Sequence, residues 1–127
     1  MSVPTDLLYS REHEWVKVDG DVATVGITDY AQESLGDIVY VELPKIGSKI
    51  DQFSTVGVVE SVKAVSDLFT PIGGEVLEVN ADLDNDPAAV NRDAYSAGWM
   101  MKIRMSDSGQ TAKLLQPAEY NDIINNE

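Results

Sequence analysis

Apolar residues recur mostly at every second position along this chain, in short runs cut by turn formers. A period of two lets a strand bury one face and wet the other. Short runs of that kind with frequent turns build small sheets, not helical bundles. Glu14 to Asp19 reads as a strand, with Val16 and Val18 on one face and Trp15 and Lys17 on the other. Asp19-Gly20 is a hairpin turn signal. Ala23, Val25 and Ile27 alternate along the returning strand. Asp29, with Gln32 three residues on, reads as the N-cap of a short helix that Gly36 closes. Asp37 to Leu43 reads as a strand with Val39, Val41 and Leu43 in phase, ended by Pro44. Gly47 and Ser48 turn the chain before a short segment, Lys49 to Gln52.

Thr55 to Phe69 is rich in Val, and β-branched residues favour strands. The run Thr70-Pro71-Ile72-Gly73-Gly74 is a turn, and Glu75 to Val79 is a further strand. Asp82 to Asp93 is polar and loop-like, with Pro87 suited to the first position of a short helix after Asp86. Trp99, Met101, Ile103 and Met105 alternate with Lys102 and Arg104, which predicts a last long strand. Pro117 opens a C-terminal amphipathic helix with Tyr120, Ile123 and Ile124 at helical spacing. The reading is a mainly β chain with short peripheral helices, one domain over residues 1–127.

Charge narrows the partners. Asp and Glu number 22 against 9 Lys and Arg, a formal charge of -13, and 11 acids fall on either side of the Lys63/Ala64 boundary. Such a field repels phosphate backbones and anionic lipid heads, so neither nucleic acid nor a membrane surface is an expected partner. Basic proteins or cationic ligands suit it better. With no Cys there is no thiol nucleophile and no cysteine zinc site, and one His leaves little for a conventional catalytic triad.

Three stretches invite a chemical reading. Lys63 is the single Lys of the Val-rich segment, within Glu60-Ser61-Val62-Lys63-Ala64-Val65-Ser66-Asp67. If that segment is a hairpin, Lys63 lies near its tip, where a solvated ammonium on a flexible stem is open to acylation by another enzyme. The plainer reading is a surface Lys in a strand. Asp82-Leu83-Asp84-Asn85-Asp86 imitates the start of a calcium loop. Pro87 stands where that loop needs Gly, and Asp93 where it needs a bidentate Glu, so calcium is rejected. His13 beside Glu14 could form a pH-tuned pair, though a strand-start residue is the plainer reading. No nucleophile, base and oxyanion donor assemble, which favours a carrier or binding module over an enzyme.

The run Gly57-Val58-Val59-Glu60-Ser61-Val62-Lys63-Ala64, with Ser66-Asp67, Pro71 and Gly74-Glu75-Val76, resembles the lipoyl-attachment region of glycine cleavage system H proteins. His13-Glu14-Trp15-Val16, Gly26-Ile27-Thr28-Asp29, Leu35-Gly36-Asp37, Val41-Glu42-Leu43-Pro44 and Gly98-Trp99-Met100 match the same family in order. The resemblance implies a barrel-sandwich hybrid fold with lipoate in amide linkage on Lys63. It implies a carrier, not an enzyme. The arm takes an aminomethyl group from a pyridoxal-phosphate glycine decarboxylase and passes it to a tetrahydrofolate-dependent aminomethyltransferase. Dihydrolipoamide dehydrogenase then reoxidises it, and lipoylating enzymes install it. Zero Cys suits a dithiolane, which a reactive thiol would scramble.

The loaded arm would end in an ammonium, and Glu14 and Asp67, placed in the matching motifs, are expected to help hold it in a cleft. Two departures stand out. Ala94-Tyr95-Ser96 occurs where the family often has Pro-Tyr-Gly, and Glu12 adds a charge where a smaller neutral residue is expected. The alternative role is an H-like protein acting mainly in lipoyl relay to other lipoyl domains. A biotin carrier would usually flank its Lys with Met, whereas Lys63 has Val62 and Ala64. The expected location is the cytoplasm, or the mitochondrial matrix if a presequence has been removed.

Overall fold

Two antiparallel sheets frame residues 2–127, which the computed structural model describes. The strands are Leu8–Tyr9 (β1), Glu14–Asp19 (β2), Val22–Ile27 (β3), Ile38–Glu42 (β4), Lys49–Ile50 (β5), Thr55–Ser61 (β6), Val65–Phe69 (β7), Gly74–Val79 (β8) and Met101–Met105 (β9). One sheet runs β1-β2-β3-β9-β8-β5, and the other runs β4-β6-β7. Three helices lie outside them: Asp29–Leu35 (α1), Ala89–Arg92 (α2) and Pro117–Asn125 (α3). The arrangement is mixed, with two sheets and peripheral helices.

The core forms where inward faces meet. Ile38, Val41, Val59 and Leu68 from the three-stranded sheet pack with Ile27, Leu83, Val90 and Met100. Val16, Val25, Ile72, Met101 and Ile103 fill the larger sheet's inner face. Tyr9 and Tyr120 stack at 4.6 Å between ring centroids, which pins α3 to β1 beside Trp15 and Leu115.

Several expectations are corrected. Val39, Val41 and Leu43 do not share a buried face. The β4 register slips between Ile38 and Tyr40, so Ile38 and Val41 point inward and Val39 is 52% exposed. One extra residue in a strand reverses its alternation, and a bulge leaves no mark on a simple apolar count. The cap of α1 is Thr28, not Asp29: its hydroxyl accepts from the Ala31 N–H at 3.2 Å. Asp29 is the first helical residue, where its charge favours the helix N-terminus. Trp99 lies before β9, and Met100 and Met101 are both buried. The Met100 N–H donates to the Val25 carbonyl, which turns the chain at that point. α2 starts at Ala89, two residues beyond Pro87. The polar stretch from Asp82 also anchors the core, through Leu83 in a 3-10 turn (Ala81–Asp84) and through Val90.

β4 and β6 meet closely at Gly57, where an added Cβ would lie 2.0 Å from the Glu42 carbonyl oxygen. Backbone faces backbone there, and neither side can swing away. Gly57→Ala is expected to cost about 3 kcal/mol or more, at the upper end of overpacking effects. Urea unfolding checks it: a midpoint equal to the parent's would contradict the close approach.

Candidate functional site

β6 and β7 form the predicted hairpin, and Val62, Lys63 and Ala64 make its turn. Ser61 builds that turn locally. Its hydroxyl accepts from the N–H groups of Lys63 (3.3 Å) and Ala64 (3.1 Å), while its own N–H donates to the Ala64 carbonyl at 2.8 Å. A serine hydroxyl bonded to backbone two and three residues on is an ordinary way to shape a turn without glycine. The Val62 N–H donates to the Asp37 carbonyl at 3.0 Å, which ties the tip to the start of β4. Val62 and Val65 flank Lys63 and are 69% and 68% exposed.

The Lys63 stem does not float free. It lies over Gly36, whose φ of 84° closes α1, and a Cβ there would sit 3.5 Å from Lys63 Cε. A left-handed residue at a helix end favours glycine. Its missing side chain also leaves room for the stem. α1 is held to the neighbouring strand by Asn91. The Asn91 amide donates to the Gly36 carbonyl and the Gln32 side chain, each at 2.9 Å, and its oxygen accepts from the Ile38 N–H at 2.8 Å.

Beside Lys63 runs a groove of about 280 Å³. Leu35, adjacent to Gly36, and Ser66 on β7 mark the part nearest the hairpin tip. Tyr30, Glu12 and Glu127 also line it. Two of its lining residues, His13 and Glu127, end a chain of polar contacts that starts at Thr28. The Thr28 and Tyr120 hydroxyls lie 2.7 Å apart, Tyr120 reaches His13 Nδ1 at 2.9 Å, and His13 Nε2 lies 3.3 Å from the Glu127 carboxylate. One proton assignment has Thr28 donating to Tyr120 and Tyr120 to His13 Nδ1, which leaves His13 Nε2 facing the Glu127 carboxylate. Burial pushes the Tyr120 phenol up, so it remains a donor. Tyr30 also bonds Glu127, which raises the Tyr30 phenol.

The two expected cleft residues, Glu14 and Asp67, do not line this groove, while Ser10 and Phe69 beside Glu14 line another of about 330 Å³. Glu14 is only 2% exposed. The Ser10 hydroxyl donates to its carboxyl at 2.5 Å, and the Phe69 backbone amide is its second partner. Burial pushes it up to about 8. Glu12's charge adds to that rise, while its hydrogen bonds oppose it. Its charged form is therefore disfavoured at this site. Asp67 is exposed on β7. The sequence reading missed Leu35, Ser66, Tyr30 and Glu127. Leu35-Gly36 lay within a matching motif, but no local pattern marks Glu127, which reaches the site by folding alone.

Comparison with known proteins agrees with this geometry. The family model described as Glycine cleavage H-protein matches residues 7–127. The glycine cleavage system H protein of Carboxydothermus hydrogenoformans is 51% identical over 125 residues, covering 98% of this chain and 96% of that one. Its counterpart from Rubrobacter xylanophilus is 52% identical over 118 residues, covering 93% and 91%. The crystal structure of a glycine cleavage system H protein from Mycobacterium marinum superposes with a TM-score of 0.90 at 38% identity, covering 97% of this chain and 99% of that one. Sequence, length and fold thus agree, and the chain belongs to the glycine cleavage H-protein family, the non-catalytic lipoyl carriers of the glycine cleavage system.

Proposed function

We propose that Lys63 carries lipoate in amide linkage and that the arm rests in the groove along Leu35 and Ser66 between visits to its partner enzymes. The observation that carries this is the Ser61-shaped hairpin, which presents Lys63 in solvent with its stem over Gly36, next to Leu35 of that groove. Lipoate held on Lys63 would supply a dithiolane for aminomethyl and electron transfer. The chain's own part is to hold and present it. Ser61 and Asp37 fix the tip, Gly36 clears the stem's path, and the two exposed Val side chains leave the turn open to an acylating enzyme.

The partners proposed are glycine decarboxylase, aminomethyltransferase, dihydrolipoamide dehydrogenase and the lipoylating enzymes. A charge of -13 suits basic entrances on those enzymes. The two sheets, with the hairpin projecting from the smaller, support reading the architecture as a barrel-sandwich hybrid.

Intact mass of the protein purified from its own cells under thiol-free conditions tests the assignment, followed by peptide mapping across Lys63. One lipoyl group on Lys63 is expected. An unmodified Lys63, from cells whose other lipoyl domains are fully modified, would overturn it.

A further inference from the structure

One side chain from outside the hairpin grips both the floor under Lys63 and the segment that holds the turn beside it. Asn91 stands on α2, 55 residues from Gly36 in the chain. Its amide nitrogen donates to the Gly36 carbonyl and to Gln32 Oε1, and its oxygen accepts from the Ile38 N–H. Both amide hydrogens and the oxygen are thus engaged. A flipped amide would set donor against donor at Ile38 and acceptor against acceptor at Gly36. Residues 36 to 38 are therefore held at both ends. Between those ends, the Asp37 carbonyl accepts from the Val62 N–H at 3.0 Å. At the first end, Gly36 lies under the Lys63 stem.

We propose that Asn91 is a positioning residue for the acylation of Lys63. By gripping Gly36 and Ile38 it fixes the Asp37 carbonyl that holds the hairpin turn, and so keeps Lys63 where a lipoylating enzyme can engage it. The proposal rests on lipoate at Lys63. Ser61 shapes the turn from within, through its bonds to Lys63 and Ala64. The Val62 bond to Asp37 ties that turn across to the start of β4.

In the acylation step the neutral Lys63 amine attacks the carbonyl of a lipoyl adenylate. The N–C bond forms, AMP leaves, and the amine's proton goes to solvent. Asn91 touches none of these atoms. Its effect is on the fraction of time the turn holds the conformation that the enzyme accepts. A smaller competent fraction weakens apparent affinity in proportion and leaves the rate of the bound complex alone.

The test uses the full chain in its unmodified form, with two readouts. One is the exchange rate of the Val62 amide hydrogen, measured by NMR. The other is lipoylation by a ligase supplied with lipoate and ATP, read as KM and kcat for the chain. Asn91→Asp keeps the shape and the acceptor for Ile38 but turns an oxygen toward the Gly36 carbonyl. In this variant Val62 should exchange about three- to tenfold faster than in the parent, the worth of one ordinary hydrogen bond. KM should rise by a similar factor while kcat holds. Asn91→Ser removes the bridge without adding a charge, and it should give the same split even where Asn91→Asp does not fold. Ile103→Val, in the core of the larger sheet, carries a comparable expected loss of stability. It should leave Val62 exchange, KM and kcat at parental values, because a turn opens locally without global unfolding. A parental Val62 rate or a parental KM in the Asn91 variants overturns this proposal and leaves lipoate at Lys63 intact. So does an equal response in Ile103→Val, which would make Asn91 a contributor to stability only. A parent chain that takes no lipoyl group at Lys63 overturns both.

Discussion

Lys63→Arg should abolish carrier function while leaving the fold untouched. Arg keeps the charge and a long stem, so the packing over Gly36 persists. Its guanidinium stays protonated and is no acceptor for an acyl group, because deprotonation lies far above physiological pH. The lipoyl mass increment should vanish, and glycine-dependent turnover with the partner enzymes should fall to background. Stability should stay within about 0.5 kcal/mol of the parent, as for most exposed substitutions. Parental turnover in the Arg variant, or a lipoyl group moved to another lysine, would sink the assignment. The second outcome would also show that the Ser61 turn does not select the modified residue.

Glu14→Gln should stabilise the protein under alkaline conditions and have little effect under acidic ones. The folded carboxyl is pushed up to about 8, well above the ordinary carboxylate range, chiefly by burial. The folded state therefore binds this proton more tightly than the unfolded chain does. Stability is fully present below the unfolded pKa. It declines as pH rises through the interval up to about 8 and levels off above it. At about 1.4 kcal/mol per unit, the full loss is on the order of 5 kcal/mol. Gln keeps the shape and the acceptor oxygen that Ser10 and Phe69 use, and it carries no charge to desolvate. Its melting temperature should match the parent's near pH 4 and exceed it by roughly 15 °C at pH 9, given the usual scaling for a chain of this length. Parallel pH profiles for the two proteins would show that Glu14 is solvated in solution.

These two sites differ in how far the sequence exposes them. The place of Lys63 at a turn was legible because a hairpin tip is a local property. The Val arms and the polar residues at the turn act within a few residues of one another, and the family motif covers the same stretch. The β2 strand, the turn at Gly20 and the C-terminal helix opened by Pro117 were legible for the same reason. Glu14 was read on the right strand and in the right motif, but its setting was not. Whether a carboxyl faces water depends on Ser10 and Phe69, and Phe69 arrives from the other sheet.

Alternation, turn residues and charge balance thus determined the strand content, the position of the hairpin and the acidic character of the surface. Each follows from short-range sterics or from composition. The tertiary structure alone decided that β4 bulges at Val39, that Glu14 is dry, and that Glu127 closes on His13 and Tyr30. Register and desolvation are set by neighbours in space, and residues far apart in the chain become neighbours only when the two sheets pack.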